Sequence, residues 1–178
     1  MQMKRGFTLT ELCVVLAVMA IVATFAMPSF FAWQLRDQID ARARALFSTL
    51  SLARAEAIRR GARVTFCRID SARHCLASGK ACDNGVTDWS CGWGVFVDQD
   101  GKAVLLRMQA AMMPVSIAGA ATDLSFTPPS GQVIGGFRSF DFGPRGVESN
   151  AYSSARRCVR LAAGGRPRMT QGACGASA

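Results

Sequence analysis

The sequence predicts an α+β fold, a long N-terminal helix packed on an antiparallel β-sheet with disulfide-tied loops. Three observations predict it. An apolar run near the start passes into a helical stripe. Short alternating segments punctuated by Gly and Pro fill the rest. Six cysteines lie outside the apolar run. The 178 residues suit one globular domain plus an extension. A helix followed by strands, rather than alternating with them, puts helix and sheet in separate layers.

The chain opens Met1-Gln2-Met3-Lys4-Arg5-Gly6, short and basic. Residues 7–27 follow, 21 residues with a single charge, Glu11. A helix of that length rises roughly 30 Å, the thickness of a bilayer's hydrocarbon core. The basic flank fits an end kept in the cytoplasm. An ordinary cleaved secretory signal is disfavoured, because Glu11 interrupts the apolar core and no A-x-A site precedes Pro28. In a plain membrane anchor the same carboxylate costs about 2.5–3.5 kcal/mol and wants a partner. A free α-amino group on Phe7, one helical turn away, is such a partner.

The stretch Lys4-Arg5-Gly6-Phe7-Thr8-Leu9-Thr10-Glu11-Leu12 resembles the class III signal of type IV pilins and type II secretion pseudopilins. The resemblance implies cleavage between Gly6 and Phe7 by prepilin peptidase, then N-methylation of Phe7. It implies that Glu11 pairs with the terminal amine of a neighbouring pilin during assembly. Residues 1–6 are then a leader. Residues 7–28 are a helix held first in the bacterial inner membrane, with the C-terminal domain periplasmic, and later in a pilus core. Thr10 and Cys13 depart mildly from the family pattern, where aliphatic residues are usual.

Residues 29–61 continue the helix in amphipathic form. Leu35, Ile39, Ala43, Leu46, Leu50, Ala53 and Ala57 step by three or four residues and make one stripe. Arg59-Arg60-Gly61 is a stop signal, with cations at the negative end of the helix dipole. The segment Ser51-Leu52-Ala53-Arg54-Ala55-Glu56-Ala57-Ile58-Arg59-Arg60-Gly61 is similar to one in the GspH/FimT branch of pilin-like proteins. That branch contains a type II secretion pseudopilin and a type IV minor pilin.

Residues 62–178 read as a β-rich domain. Strands are expected at 63–69, 93–97, 103–107, 123–127, 136–142 and 157–161, with an Asp100-Gly101 hairpin turn. Asp98 and Asp100 lack the further oxygen ligands of a calcium loop and read as a plain turn. Cys67, Cys75, Cys82, Cys91, Cys158 and Cys174 suggest disulfides in an oxidising compartment. The spacing does not choose a connectivity. Cys158 with Cys174 is the best single pair, since both stand far from the others, and the remaining four would pair among themselves. His74 is the single histidine and there is no C-x-x-C pair, so no metal and no cofactor is expected. No nucleophile has a credible activating base, which points away from an enzyme.

The net charge is +9, and 18 of the 21 basic residues are arginine. Such a surface permits polyanion binding and equally serves solubility. Residues 138–178 hold seven arginines against Asp141 and Glu148. Gly164-Gly165-Arg166-Pro167-Arg168 reads as a turn presenting two guanidinium groups. It resembles the C-terminal GRxR motif of FimT-like minor pilins, matched at Gly165, Arg166 and Arg168. The resemblance implies a minor pilin that binds double-stranded DNA without sequence preference and supports natural transformation. Arg156, Arg157 and Arg160 stand near enough in sequence to support the patch. The alternative is a structural subunit, either a GspH-like pseudopilin of type II secretion or an assembly-priming minor pilin.

Overall fold

A computed structural model describes residues 8–77, 79–82, 85–112, 114–119, 121–134, 138–146 and 153–175. The chain divides into two compact units, Met1–Leu35 and Arg36–Ala178. Helix α1 spans Leu9–Arg60 and so contributes to both.

In the first unit Thr8 caps α1. Its Oγ1 accepts the Glu11 N–H at 3.3 Å, and its carbonyl accepts the Leu12 N–H at 3.2 Å. Thr8-x-x-Glu11 therefore has the spacing of a capping box, whose hydroxyl satisfies an N–H that the helix itself leaves unpaired. Beyond it Leu9, Leu12, Leu16, Met19 and Val22 are all exposed. A continuous apolar surface of this kind marks a membrane or protein contact. Among the described residues no single helix is long and apolar enough to cross a membrane. Leu9–Thr24 and Ser29–Arg60 pass that test together, by length and composition only.

In the second unit the helical stripe becomes the core face. Ile39, Ala43, Leu46, Leu50, Ala53 and Ala57 are fully buried. The alanines bring the sheet close, and each buried Leu or Ile contributes about 1.5–3 kcal/mol. Glu56 binds Arg59 at 2.7 Å and also Arg60, and Gly61 turns the chain with φ 61°. Glycine adopts that left-handed conformation without a Cβ penalty.

Nine strands follow, in two antiparallel sheets. The first contains β1 (Val64–Arg68), β2 (Gly92–Gln99), β3 (Lys102–Ala110), β5 (Asp123–Thr127) and β6 (Gln132–Val133), in the order β3-β2-β1-β5-β6. The second contains β4 (Val115–Gly119), β7 (Arg138–Pro144), β8 (Arg157–Leu161) and β9 (Pro167–Gln171), in the order β4-β7-β8-β9. Asp100 and Gly101 form the two-residue β2–β3 turn, with φ of 53° and 76°. Asp98 Oδ1 accepts the Gly101 N–H there, so its carboxylate closes the turn.

Aromatic rings join the two sheets. Phe66 of β1 stacks on Trp89 at 4.9 Å, and both meet Phe140 of β7 edge-on. The Trp89 N–H donates to the Ala121 carbonyl at 2.9 Å, which satisfies the polar end of a buried ring. Trp93 of β2 lies against the helix, where its N–H reaches Thr49 Oγ1 at 3.4 Å. The buried Arg42 guanidinium sits 5.2 Å above that ring and donates to the Ala110 carbonyl. Burial lowers the Arg42 pKa.

Disulfides join Cys67 to Cys75 and Cys82 to Cys91 beside the first sheet, and Cys158 to Cys174 beside the second. Buried Arg68 donates to the carbonyls of Lys80 and Asp88, at 2.9 and 3.3 Å. It thereby ties the irregular chain between β1 and β2 to the sheet.

Candidate nucleic-acid interface

The arginine turn begins as a hairpin connection between β8 and β9. The Ala162 carbonyl accepts the Gly165 N–H at 2.8 Å, and the Ala162 N–H donates to the Arg166 carbonyl at 3.3 Å. Gly165 has φ 74°. This is the three-residue hairpin pattern that ends in a left-handed residue. A Cβ at Gly165 would lie 1.9 Å from the Gly131 carbonyl oxygen and 3.2 Å from Arg54 Cδ. The turn is thus pressed against the backbone between β5 and β6 and admits no side chain there. The Val133 N–H donates to the Ala163 carbonyl at 3.0 Å, which staples the turn to β6.

From sequence, Pro167 reads as part of a turn. The structure instead makes it the first residue of β9, so Arg168 lies on a strand. Proline is tolerated there because β9 is the edge of its sheet and the first position needs no ladder N–H. Strand geometry then decides which side chains share a face. Arg160 is directly opposite Arg168, and Cys158 is opposite Thr170. Arg166, Arg168 and Thr170 alternate along one edge, and Arg160 faces them from β8. Together with Ala162 they line a depression of about 310 Å³. Arg166 and Arg168 are exposed and Arg160 is half-buried.

Like charges directly opposite on a sheet are destabilising. Among the described residues no carboxylate pairs with Arg160, Arg166 or Arg168. Arg160 Nη2 donates instead to the Cys174 carbonyl at 2.7 Å. The other C-terminal arginines are placed differently. Arg157 projects to the opposite face of β8, where its Nε reaches Asp40 of the helix at 2.7 Å. Arg156 binds Asp141 at 2.7 Å. Arg145 lies 3.9 Å from the buried Asp88, and Arg138 is also engaged. The structure brings Arg160 to Arg166 and Arg168, and spends Arg156 and Arg157 on internal ion pairs.

Thr170 was not singled out by sequence reasoning. The two-residue spacing from Arg166 and Arg168 would have found it once β9 was recognised as a strand. Arg54, Gly131 and Val133, which support the turn, carry no local signal at all. At the other end of the chain Gly6 and Phe7 lie outside the described residues. Glu11 is exposed in the first turn of α1, and Cys13 is exposed and unpaired.

The family profile "Type II transport protein GspH" matches residues 42–165. The chain belongs to the GspH family. A second profile, "Prokaryotic N-terminal methylation motif", matches residues 1–27 of this GspH-family chain. No curated protein matches. Among solved structures the fold is similar to the type IV minor pilin FimU of Pseudomonas aeruginosa in two crystal forms. In space group P65 the TM-score is 0.54 at 18% identity, covering 74% of this chain and 91% of FimU. In P21 the TM-score is 0.56 at 18% identity, covering 76% and 90%. The pilin fold, an N-terminal helix on antiparallel sheets, is thereby shown. The GspH match ends at Gly165, one residue before the first arginine of the turn, so membership of the family says nothing of Arg166 and Arg168.

Proposed function

We propose that this GspH-family chain is a minor type IV pilin that binds extracellular double-stranded DNA through Arg166 and Arg168 and supports natural transformation. The observation that carries the reading is the arginine turn between β8 and β9, where Arg166 and Arg168 are exposed and, among the described residues, pair with no carboxylate. A rigid hairpin presents guanidinium groups that lose little entropy on meeting phosphate. Phosphate contacts carry no sequence information, so binding is non-specific and falls with salt. In this reading prepilin peptidase cleaves between Gly6 and Phe7, and the apolar helix holds the protein in the inner membrane. Other pilins then receive it into a filament.

The test uses the full chain in detergent and a short duplex at low salt. The wild type should bind, and R166Q/R168Q should lose about tenfold or more in affinity. Its salt slope should flatten by about two, one step for each lost phosphate contact. Equal binding by both proteins would remove the DNA assignment.

A second reading is a GspH-like pseudopilin of type II secretion, or a minor pilin that only primes assembly. What supports it is the family profile, whose description is that of a type II transport protein and whose match covers residues 42–165. Deleting the gene separates the first reading from the pseudopilin, and counting pili in the same strain separates it from a priming pilin, whose loss would remove the pili themselves. Loss of DNA uptake with secretion intact supports the first reading, and loss of secretion with uptake intact supports the second.

A further inference from the structure

Arg160 stands in an arrangement that internal stability does not explain. It lies directly opposite Arg168 on the same face, where two cations repel. Its neighbours in the depression among the described residues are Ala162, Arg166, Arg168 and Thr170, none of them acidic. One guanidinium nitrogen, Nη2, is committed to the Cys174 carbonyl at 2.7 Å. That bond orients the planar group and leaves Nε and Nη1 as donors. The carbonyl is itself held from two sides. The disulfide ties Cys174 to Cys158, two residues before Arg160 on β8. The Cys174 N–H donates to Asp141 Oδ2 at 2.9 Å. Asp141 is in turn held by Arg156.

We propose that Arg160 is a third phosphate ligand of the arginine face, and that the Cys158–Cys174 disulfide positions it through the Cys174 carbonyl. The inference rests on the DNA reading above and adds to it a binding residue and the device that aims it. Arg166 immediately precedes β9 and Arg168 lies on it, about 7 Å apart if the extended backbone continues through both. Arg160 lies across from them on the next strand, roughly 5 Å away in the pairing direction. Three guanidinium groups then converge on one depression from two strands, with the Thr170 hydroxyl at its far end. A phosphodiester backbone entering it relieves the mutual repulsion of the cations and meets donors from both sides. Arg160 is the binding residue here. The cysteine pair is a positioning element and touches no ligand.

The experiment compares the full-length wild type, R160Q, C158S/C174S and the combination of the last two, using a short duplex across a salt series. R160Q should bind about three- to tenfold more weakly, with the salt slope reduced by about one. C158S/C174S should lose affinity in the wild-type background and lose nothing further in the R160Q background. R160K should recover the salt slope, because it restores the charge, but not the full affinity. Unchanged affinity and slope in R160Q would remove Arg160 from the site. An equal loss from C158S/C174S in both backgrounds would show that the disulfide does not act through Arg160. If the cysteine variant does not fold, the Nε–H NMR signal of Arg160 in the unaltered chain decides the ligand assignment. A shift on adding duplex supports contact, and an unmoved signal overturns it. Binding by R166Q/R168Q at wild-type strength would mean that the DNA reading itself has failed. Loss in that variant with none in R160Q would sink this inference alone.

Discussion

Gly165 shows how one residue without a side chain sets the direction of two that have large ones. Its φ of 74° costs an L-residue about 1–2 kcal/mol before any contact is considered. The Gly131 carbonyl then occupies the place of a Cβ. Gly165→Ala is therefore expected to lower the melting temperature by several degrees and to displace the arginine turn. Calorimetry and DNA affinity measured together would check both effects. A melting temperature like that of the wild type would mean that the turn relaxes without cost. The glycine of a GRxR match is visible in sequence. Its reason is not, because Gly131 lies 34 positions away along the chain.

At the scale of elements, the long helix was the easiest to read and its end is well defined. Hydrogen bonds from Arg59 and then Arg60 hold the Glu56 carboxyl well below the usual range, at about 2. A depressed carboxyl pKa contributes stability that is fully present above the unfolded value of about 4.5 and is lost as pH falls toward 2. A carboxylate titration followed by NMR should place the Glu56 midpoint near 2, and a midpoint near 4.5 would deny the pairing in solution. Strands β5 and β8 were legible to the residue, because alternation and flanking breakers mark both ends. Strands β4, β6 and β9 were not. β6 has two residues, too few to show any period. β9 begins with proline and carries polar residues on its open edge, so its sequence looks like a loop. That omission mattered most, since β9 carries Arg168.

At the scale of the whole molecule, each unit has its own chemistry. In the proposed reading the exposed apolar surface around residues 9–22 serves export and assembly. In the same reading the arginine face of Arg36–Ala178 serves whatever the assembled subunit touches. Glu11→Ala should leave membrane insertion intact or improve it, because an uncompensated carboxylate is removed from the apolar run. The same variant should be missing from sheared pili. Immunoblots of the membrane and pilus fractions would read both, and normal incorporation would argue against pairing with a neighbour's terminal amine. Thr8 gives the backbone of Glu11 a second role. Its backbone N–H completes the helix cap, and that bond survives replacement of the side chain.

Sequence alone determined the helix, its buried stripe, the location of the basic residues and the even set of cysteines. These are properties of composition and of short-range period, and a single strand or helix expresses them without help. Tertiary structure decided which cysteines are joined, how the strands divide between two sheets, and which arginines are free. Those outcomes depend on residues distant in sequence arriving at the same place. Arg157 and Arg160 are three positions apart and equally basic. One turns inward to Asp40 and the other outward to face Arg168, because alternate side chains of a strand project to opposite faces and a half-buried carboxylate waits on one of them.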